Sequence, residues 1–240
     1  MPIPPTPIHQ APAISRSLFV FSIFYGGMTC IAGVLGNKQV SLGPLSALGP
    51  VVGLPPLAIE AGIFAFLLLV VTSSAVAELH GRATANKLVL FGFIPLLVSI
   101  LLTLIVLALP AAGEMGADRL AAFNTMMGAT PWIWLGGIIA YGVSQTLNVT
   151  IFSWLKGREG NSLLWFRAGV ASALSQIIDT ILFITIAFGT SAIGWLMAGQ
   201  MLTKVVLSAV LVPPLIYLAV AVGRWLDAGG GERGEERLDA

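Results

Sequence analysis

The sequence predicts an all-α integral membrane protein, a bundle of six transmembrane helices with both termini in the cytoplasm. Hydrophobic residues make up 57% of its 240 residues and charged residues only 10%, whereas a typical soluble domain is about 25% charged. The apolar residues form long runs of about 20, the length that a helix needs to cross a bilayer. The basic residues between the runs fall almost entirely on one side, as the positive-inside rule requires.

The two ends of the chain do not share this composition. Residues 1–15 hold five of the 14 prolines and predict an extended, disordered tail. Residues 225–240 combine glycines with mixed charges and predict a second disordered tail. The transmembrane domain is therefore expected to span residues 16–224. An alternative for its first apolar run, which follows Arg16, is a signal peptide, but a retained helix gives the consistent topology.

The first half of the domain contains three apolar spans. The first covers about 18–35 and is followed by a Gly/Pro-rich link that ends at Pro56. The second covers about 57–77, and a short polar loop over 78–87 leads to the third, over 88–109. The third span is nearly all aliphatic, which predicts a helix that faces lipid.

The second half begins with a predicted loop over 111–130, in which residues 120–127 form a short interfacial helix. Three further spans follow, at about 131–155, 166–188 and 193–222. Pro213 and Pro214 interrupt the last of them and predict a kink or a break.

This six-span topology divides the basic residues nine to two, with Lys204 inside a span. The side of the membrane with two basic residues holds Lys38 and Arg119. The nine on the other side are Arg16, Arg82, Lys87, Lys156, Arg158, Arg167, Arg224, Arg233 and Arg237. We therefore expect the nine-residue side, and with it both termini, in the cytoplasm.

A polar stripe marks the fifth span. Ser172, Gln176 and Asp179 are spaced four and three residues apart, so they share one face of a helix. A carboxylate in an apolar span must avoid lipid, and intramembrane ionisable residues usually serve a ligand or ion pathway. The alternative is structural: Asp179 pairs with Lys204 of the sixth span, which lies on a stripe with Gln200 and Ser208.

Other candidates for a binding site lie on the neighbouring spans. Gln145, Asn148 and Phe152 follow Tyr141 on one face of the fourth span, and hydrogen bonds between helices would explain the amides equally well. Glu60 and Glu78 lie near the ends of the second span, where solvation is the simpler account. Trp165 and Arg167 suit either an interfacial anchor or contacts to a flat heteroaromatic ring.

Several classes of protein are disfavoured. A net charge of +1 gives no electrostatic reason to bind nucleic acid. One cysteine and two scattered histidines do not make a metal site. No hydrolase, metalloprotease, Walker A or dinucleotide motif is present, so we expect no catalytic residue and no cofactor.

Four segments resemble the queuosine precursor transporters, also called the VUT family. They are VLGNKQV (34–40), AELHGRATANKLVLFGF (77–93), NVTIFSWLK (148–156) and LWFRAGVASALSQIIDTILFITIAFG (164–189). The last is the most specific, because it joins W-x-R, S-x-x-x-Q and D-T at the spacing of the family. Ser74 and Asn148 stand where many members have Asp, which leaves Asp179 as the principal acid of the bundle.

The resemblance implies a multi-pass protein of the bacterial inner membrane that takes up a 7-deazapurine such as 7-cyano-7-deazaguanine. Its partners would be this small molecule and the lipid bilayer, and a homo-oligomer is left open. The ligand would lie between the fourth, fifth and sixth helices. There Asp179 would accept from its donors, Gln176, Asn148 or Gln145 would match its carbonyl, and Phe152 and Trp165 would stack on its ring.

Three rival functions are weighed against uptake of a deazapurine. A small six-helix chain with no ATP motif would also suit the substrate-binding subunit of a vitamin transporter that uses an external ATPase. A structural membrane protein would use the polar stripes only to join helices. An intramembrane enzyme is third, because no nucleophile or metal pattern supports it.

Overall fold

The computed structural model describes residues 14–159, 164–190 and 193–229. The side chains of residues 145–146, 148–149, 152–159, 164–173, 175–176, 193, 195, 205–209 and 213 lie outside the described part. Within these ranges the chain forms α1 (Arg16–Leu35), β1 (Gln39–Ser41), a 3₁₀ helix (Gly43–Ala47), α2 (Leu48–Val51), β2 (Ala58–Glu60), α3 (Gly62–His80), α4 (Arg82–Ala108), α5 (Ala117–Glu159), α6 (Leu164–Phe188), α7 (Ile193–Val210) and α8 (Val212–Ala228).

Four of these helices are long and apolar enough, in the described ranges, to cross a membrane. They are Arg16–Leu35, Gly62–His80, Arg82–Ala108 and the Ala117–Ser144 part of α5. On α4 the side chains of Leu90, Leu97, Leu101 and Leu104 are more than half exposed, which is a surface for lipid rather than for water. The chain is therefore a mostly helical, multi-pass membrane protein.

A hydrophobic core joins the helices of the first half of the chain to α8. Phe21 and Tyr25 of α1 pack with Leu69 and Val76 of α3, and Val220 of α8 closes the cluster. Gly92 of α4 lies against the Tyr25 ring, where a β-carbon would overlap it. The lipid-facing prediction for the third span therefore holds for one side of α4 only.

A single residue, Gly81, separates α3 from α4. Its φ is +83°, in the left-handed region that favours glycine. Glu78 to His80 are helical, and α4 starts at Arg82. The expected polar loop over residues 78–87 was therefore wrong, because one glycine is enough to end one helix and begin the next.

A two-stranded antiparallel sheet connects α1 to α3, in a region for which we expected only a link and the start of a helix. Gln39 pairs with Glu60, and Ser41 pairs with Ala58. The second span was predicted to begin at Leu57, but α3 begins at Gly62. Gly199 of α7 lies directly against the backbone carbonyl of Ala58, so that β2 packs on this helix without a side chain between them.

The second half departs from prediction at two places and contains the break that was predicted in the sixth span. The helix α5 runs unbroken from Ala117 to Glu159 with Pro131 inside it, so the predicted loop over 111–130 ends at residue 116. The expected sixth span divides at Leu211 into α7 and α8, where a proline occupies the first turn of α8, as the break predicted there requires. The helix α8 continues to Ala228, so residues 225–228 of the predicted tail are helical, while 1–13 and 230–240 lie outside the described residues.

Candidate functional site

A partly open cavity of about 140 Å³ lies between the helices. An engineered cavity of similar volume in another protein holds benzene, so this space suits a small aromatic molecule. Its walls come from α1, β2, α3, α4, α5, α6 and α7. The cavity is therefore wider than the site predicted between the fourth, fifth and sixth spans, because the first half of the chain supplies more than half of the lining residues.

An ion pair lies on the α6–α7 side of the cavity. Lys204 Nζ is 3.0 Å from Asp179 Oδ2 and also donates to Thr180 Oγ1 at 3.2 Å. Ser144 Oγ of α5 donates to Asp179 Oδ1 at 3.2 Å. The ammonium also lies 5.9 Å from the centre of the Phe66 ring, within range of a cation–π contact. The pairing that the sequence left open is thus formed in the structure.

A second polar pair lies one helical turn away. Gln200 Nε2 donates to Glu60 Oε1 at 3.1 Å, and both side chains are buried, with 1% and 5% of their surface exposed. Gln200 and Lys204 are four residues apart and share one face of α7. Glu60 reaches this face because β2 ends beside α7. The two acids of the cavity are therefore held by neighbouring residues of a single helix.

Aromatic rings make up much of the remaining wall: Tyr25, Phe66, Phe93, Trp134, Tyr141 and Phe183. Phe93 and Tyr141 meet edge to face, with ring centres 5.5 Å apart. Trp134 Nε1 donates to the Cys30 carbonyl at 3.1 Å, and Gly33 leaves the space that its indole occupies. These fixed rings provide flat apolar surfaces for stacking.

The structure sorts the predicted site residues into three groups. Asp179, Lys204 and Glu60 line the cavity. Glu78 does not line it, and its side chain is exposed near the end of α3, which fits the solvated alternative. The side chains of the other seven lie outside the described residues: Ser172, Gln176, Gln145, Asn148, Phe152, Trp165 and Arg167.

Sequence reasoning did not select Gln200, Ser144 or the aromatic wall as site residues. For Gln200 a signal existed, because it precedes Lys204 by one turn in the sequence. For Ser144 and Trp134 no signal existed. The sequence around a serine or a tryptophan in an apolar span is the same whether the side chain faces a cavity, a neighbouring helix or lipid.

A serine, a histidine and an aspartate also meet at the start of α1, outside the cavity. Ser17 Oγ lies 2.7 Å from His80 Nε2 and donates to Asp227 Oδ2 at 2.7 Å, while the Ser17 N–H donates to Asp227 Oδ1. Burial opposes ionisation of Asp227, but the bonds from Ser17 and the nearby His80 outweigh it and lower its pKa below the usual value. A hydrolase triad places the acid on the histidine; here both groups bond the serine, which ties the ends of three helices together.

The chain is similar in sequence to known membrane transporters. A family model described as "Putative vitamin uptake transporter" matches residues 60–219, more than half of the chain. A curated protein of Bacillus subtilis (strain 168), named "Probable queuosine precursor transporter", is 34% identical over 113 residues, which cover 46% of this chain and 48%, about half, of the relative. No solved structure matches the chain significantly.

The family match begins at Glu60 and includes every residue of the two polar pairs. Together with the membrane-spanning helices, it shows the family to which the chain belongs. The protein is a member of the vitamin uptake transporter family of membrane transporters, the family that the sequence resembled.

Proposed function

We propose that this protein imports a queuosine precursor, a 7-deazapurine such as 7-cyano-7-deazaguanine, across the bacterial inner membrane for tRNA modification. The observation that carries the proposal is the cavity, whose aromatic walls surround two polar pairs. A flat heteroaromatic base matches this arrangement, because stacking of a base on an aromatic side chain contributes about 1–3 kcal/mol and the polar pairs can bond its edges. The name of the curated relative supports the same class of substrate.

We further propose that the chain crosses the membrane six times with both termini in the cytoplasm. Four helices meet the criteria of length and apolarity. The helix α6, of 25 residues, is the candidate for the fifth span, and α7 with α8, of 18 and 17 residues, together form the candidate for the sixth. In this arrangement the side of the membrane that holds nine basic residues is the cytoplasmic side.

Uptake in cells tests the proposed function. In a strain that can neither synthesise the precursor nor import it by another route, we expect the wild-type protein to restore queuosine in tRNA, measured by mass spectrometry, when 7-cyano-7-deazaguanine is supplied outside. We expect Asp179→Asn to abolish the restoration of queuosine, because the change leaves the ammonium group of Lys204 in the cavity without a carboxylate partner. Asp118→Asn is the matched control, since Asp118 is exposed at the start of α5.

The level of each variant in the membrane is measured beside uptake. Wild-type protein that inserts and leaves queuosine absent would refute the function. Normal queuosine in the Asp179→Asn strain would refute the role of Asp179.

The description of the family names a vitamin as the substrate, and one alternative is therefore a vitamin-binding membrane subunit, which would use an external ATPase. Purification from the native membrane distinguishes the two. The proposed function predicts uptake by the purified protein alone in lipid vesicles, whereas the alternative predicts that an ATPase co-purifies and that uptake needs ATP.

A further inference from the structure

We infer that the contact between the end of α1 and α5 is the outer gate of the cavity, and that Trp134 is the side chain that closes it. This contact, the outer seam, consists of Gly33, Gly36 and Asn37 at the end of α1 and Thr130, Ile133 and Trp134 on α5. The inference rests on the proposed function, because only a transporter needs a gate, and on the proposed orientation, which places the seam toward the outside.

The two sides of the outer seam are packed directly on each other. Gly33 lies against the indole of Trp134, where a β-carbon would overlap the ring, and a β-carbon at Gly36 would lie 3.0 Å from Ile133 Cγ2. Ile133 and Trp134 are 5% and 6% exposed, and Thr130 is fully buried. In the state that the structure shows, the seam is therefore closed.

The outer seam lies at one end of the cavity. Trp134 lines the cavity, and so do Tyr25 of α1 and Tyr141 of α5, which lie about two helical turns nearer the cytoplasmic ends of their helices. Asn37 and Thr130, toward the outer end of the seam, do not line it. A molecule that enters from outside between α1 and α5 must therefore pass the Trp134 ring.

Two hydrogen bonds between uncharged groups join the two sides of the seam. Trp134 Nε1 donates to the Cys30 carbonyl at 3.1 Å, and Asn37 Nδ2 donates to Thr130 Oγ1 at 2.8 Å. Hydrogen bonds between charged groups are roughly twice as strong as these neutral ones. The seam is therefore easier to separate than the ion pair that joins α6 to α7.

The sequence of α5 provides a hinge within the seam. Pro131 follows Thr130 inside the helix, and because proline has no N–H, the helical hydrogen bond to the carbonyl of Met127 cannot form. Sharp bends in helices occur mostly at prolines and a few other features. The part of α5 that carries Thr130 can therefore change its angle to the rest of the helix.

On the opposite side of the seam, α1 is fixed in place. It shares the hydrophobic core with α3, α4 and α8, and Ser17 at its start bonds both His80 of α3 and Asp227 of α8. Movement of α1 alone would break these contacts. The gate therefore opens when α5, bent at Pro131, moves away from α1.

The reactivity of a buried thiol measures the gate without any substrate. In cells that express Cys30→Ser/Thr130→Cys, the thiol should be protected from a membrane-impermeant thiosulfonate added outside, because position 130 is buried in the seam. We expect the further change Gly33→Ala to raise the reaction rate by about tenfold or more, since its methyl group displaces the Trp134 ring and holds the gate open. Gly27→Ala on α1 is the matched control. A β-carbon there meets no atom within 4 Å, so the rate should be unchanged.

Cross-linking tests whether the seam must open for transport. The side chains of Asn37 and Thr130 are in contact, so Asn37→Cys/Thr130→Cys in the Cys30→Ser chain places two thiols within reach of a short bifunctional thiosulfonate. We expect the cross-link to reduce uptake of labelled 7-cyano-7-deazaguanine by about tenfold or more, and a reducing agent to restore it. The control is Ser99→Cys in the chain that retains Cys30. Cys30 Sγ and Ser99 Oγ are 3.4 Å apart, and their cross-link joins α1 to α4, which stay together, so uptake should continue.

The outcomes separate this inference from the proposed function. Wild-type protein that takes up no 7-cyano-7-deazaguanine refutes the proposed function, and the thiol reaction rates still test the seam. Equal rates with and without Gly33→Ala refute closure by Trp134. Full uptake by a cross-linked Asn37→Cys/Thr130→Cys protein refutes the gate, and this result decides if the Gly33→Ala protein fails to fold.

Discussion

Asp179 and Lys204 stabilise the bundle only as a pair. Their side chains are 16% and 20% exposed, so each charge has lost most of its hydration. The opposite charge of the partner replaces the stabilisation that water would provide. Removal of one member from a buried pair costs more than removal of both, because a single charge is left uncompensated. The thermodynamic role of the pair is therefore testable separately from transport.

We predict that Lys204→Met destabilises the folded protein by about 3–5 kcal/mol. The double variant Lys204→Met/Asp179→Leu, with two apolar side chains, should recover most of this loss. The measurement is the free energy of unfolding by chemical denaturation in detergent. Lys38→Met, at an exposed position, serves as the control and should change little. A double variant no more stable than Lys204→Met would contradict the coupling.

At the residue scale the sequence offered one of the two polar pairs as an alternative and missed the other. Asp179 and Lys204 stand out in any reading, because an ionisable residue within an apolar span must have a partner. Glu60 and Gln200 lie 140 residues apart in the chain, and their contact depends on the position of β2 and the rotation of α7. Neither quantity follows from hydrophobic spacing, so Glu60 could be named a candidate but its partner could not.

At the scale of elements, the small sheet is what carries Glu60 into the cavity. Three-residue strands are too short to produce an alternating pattern, which is why the sequence predicted a link followed by a helix. The Gly81 turn was missed for a related reason. Polar residues between two apolar spans look like a loop, although they can equally belong to the helix ends.

The contact between β2 and α7 gives a prediction for Gly199. A β-carbon there would overlap the Ala58 carbonyl, and a backbone atom cannot rotate away as a side chain can. We expect Gly199→Ala to destabilise the protein by about 1–3 kcal/mol through overpacking and to reduce uptake of labelled 7-cyano-7-deazaguanine, because Glu60 moves with β2.

The matched control is Gly27→Ala on α1, where a β-carbon meets no atom within 4 Å. It should be neutral or stabilising by about 0.5–1 kcal/mol. Thermal unfolding in detergent and vesicle uptake are measured for both variants. A Gly199→Ala protein with wild-type stability and uptake would show that β2 and α7 separate easily.

The helix α5 shows why boundaries were harder to predict than spans. Its 43 residues extend about 65 Å at 1.5 Å per residue, roughly twice the thickness of the hydrocarbon core. Pro131 looked like a start signal, yet membrane helices tolerate an internal proline when neighbouring groups satisfy the freed carbonyl. Apolarity reveals where a helix crosses the bilayer but not how far it continues beyond it.

At the scale of the whole molecule, the distribution of basic residues predicts the orientation. We expect a fluorescent protein fused after Ala240 to be bright and a phosphatase fused there to be inactive, because both report a cytoplasmic C-terminus. Fusions truncated at Gly113, in the segment between α4 and α5, should give the opposite pair of signals. Phosphatase activity at Ala240 would overturn the topology and the assignment of the nine basic residues to the cytoplasm.

The pairing of Asp179 with Lys204 also determines how the site responds to the membrane potential. One unpaired elementary charge that crosses 100 mV changes in energy by about 2.3 kcal/mol. Opposite charges 3.0 Å apart experience nearly the same potential, so their two contributions cancel wherever the pair lies in the field. The protein can therefore keep a lysine and an aspartate in its cavity, with their strong hydrogen bonds, while this pair contributes almost no voltage dependence to the transport of the proposed substrate, which is neutral.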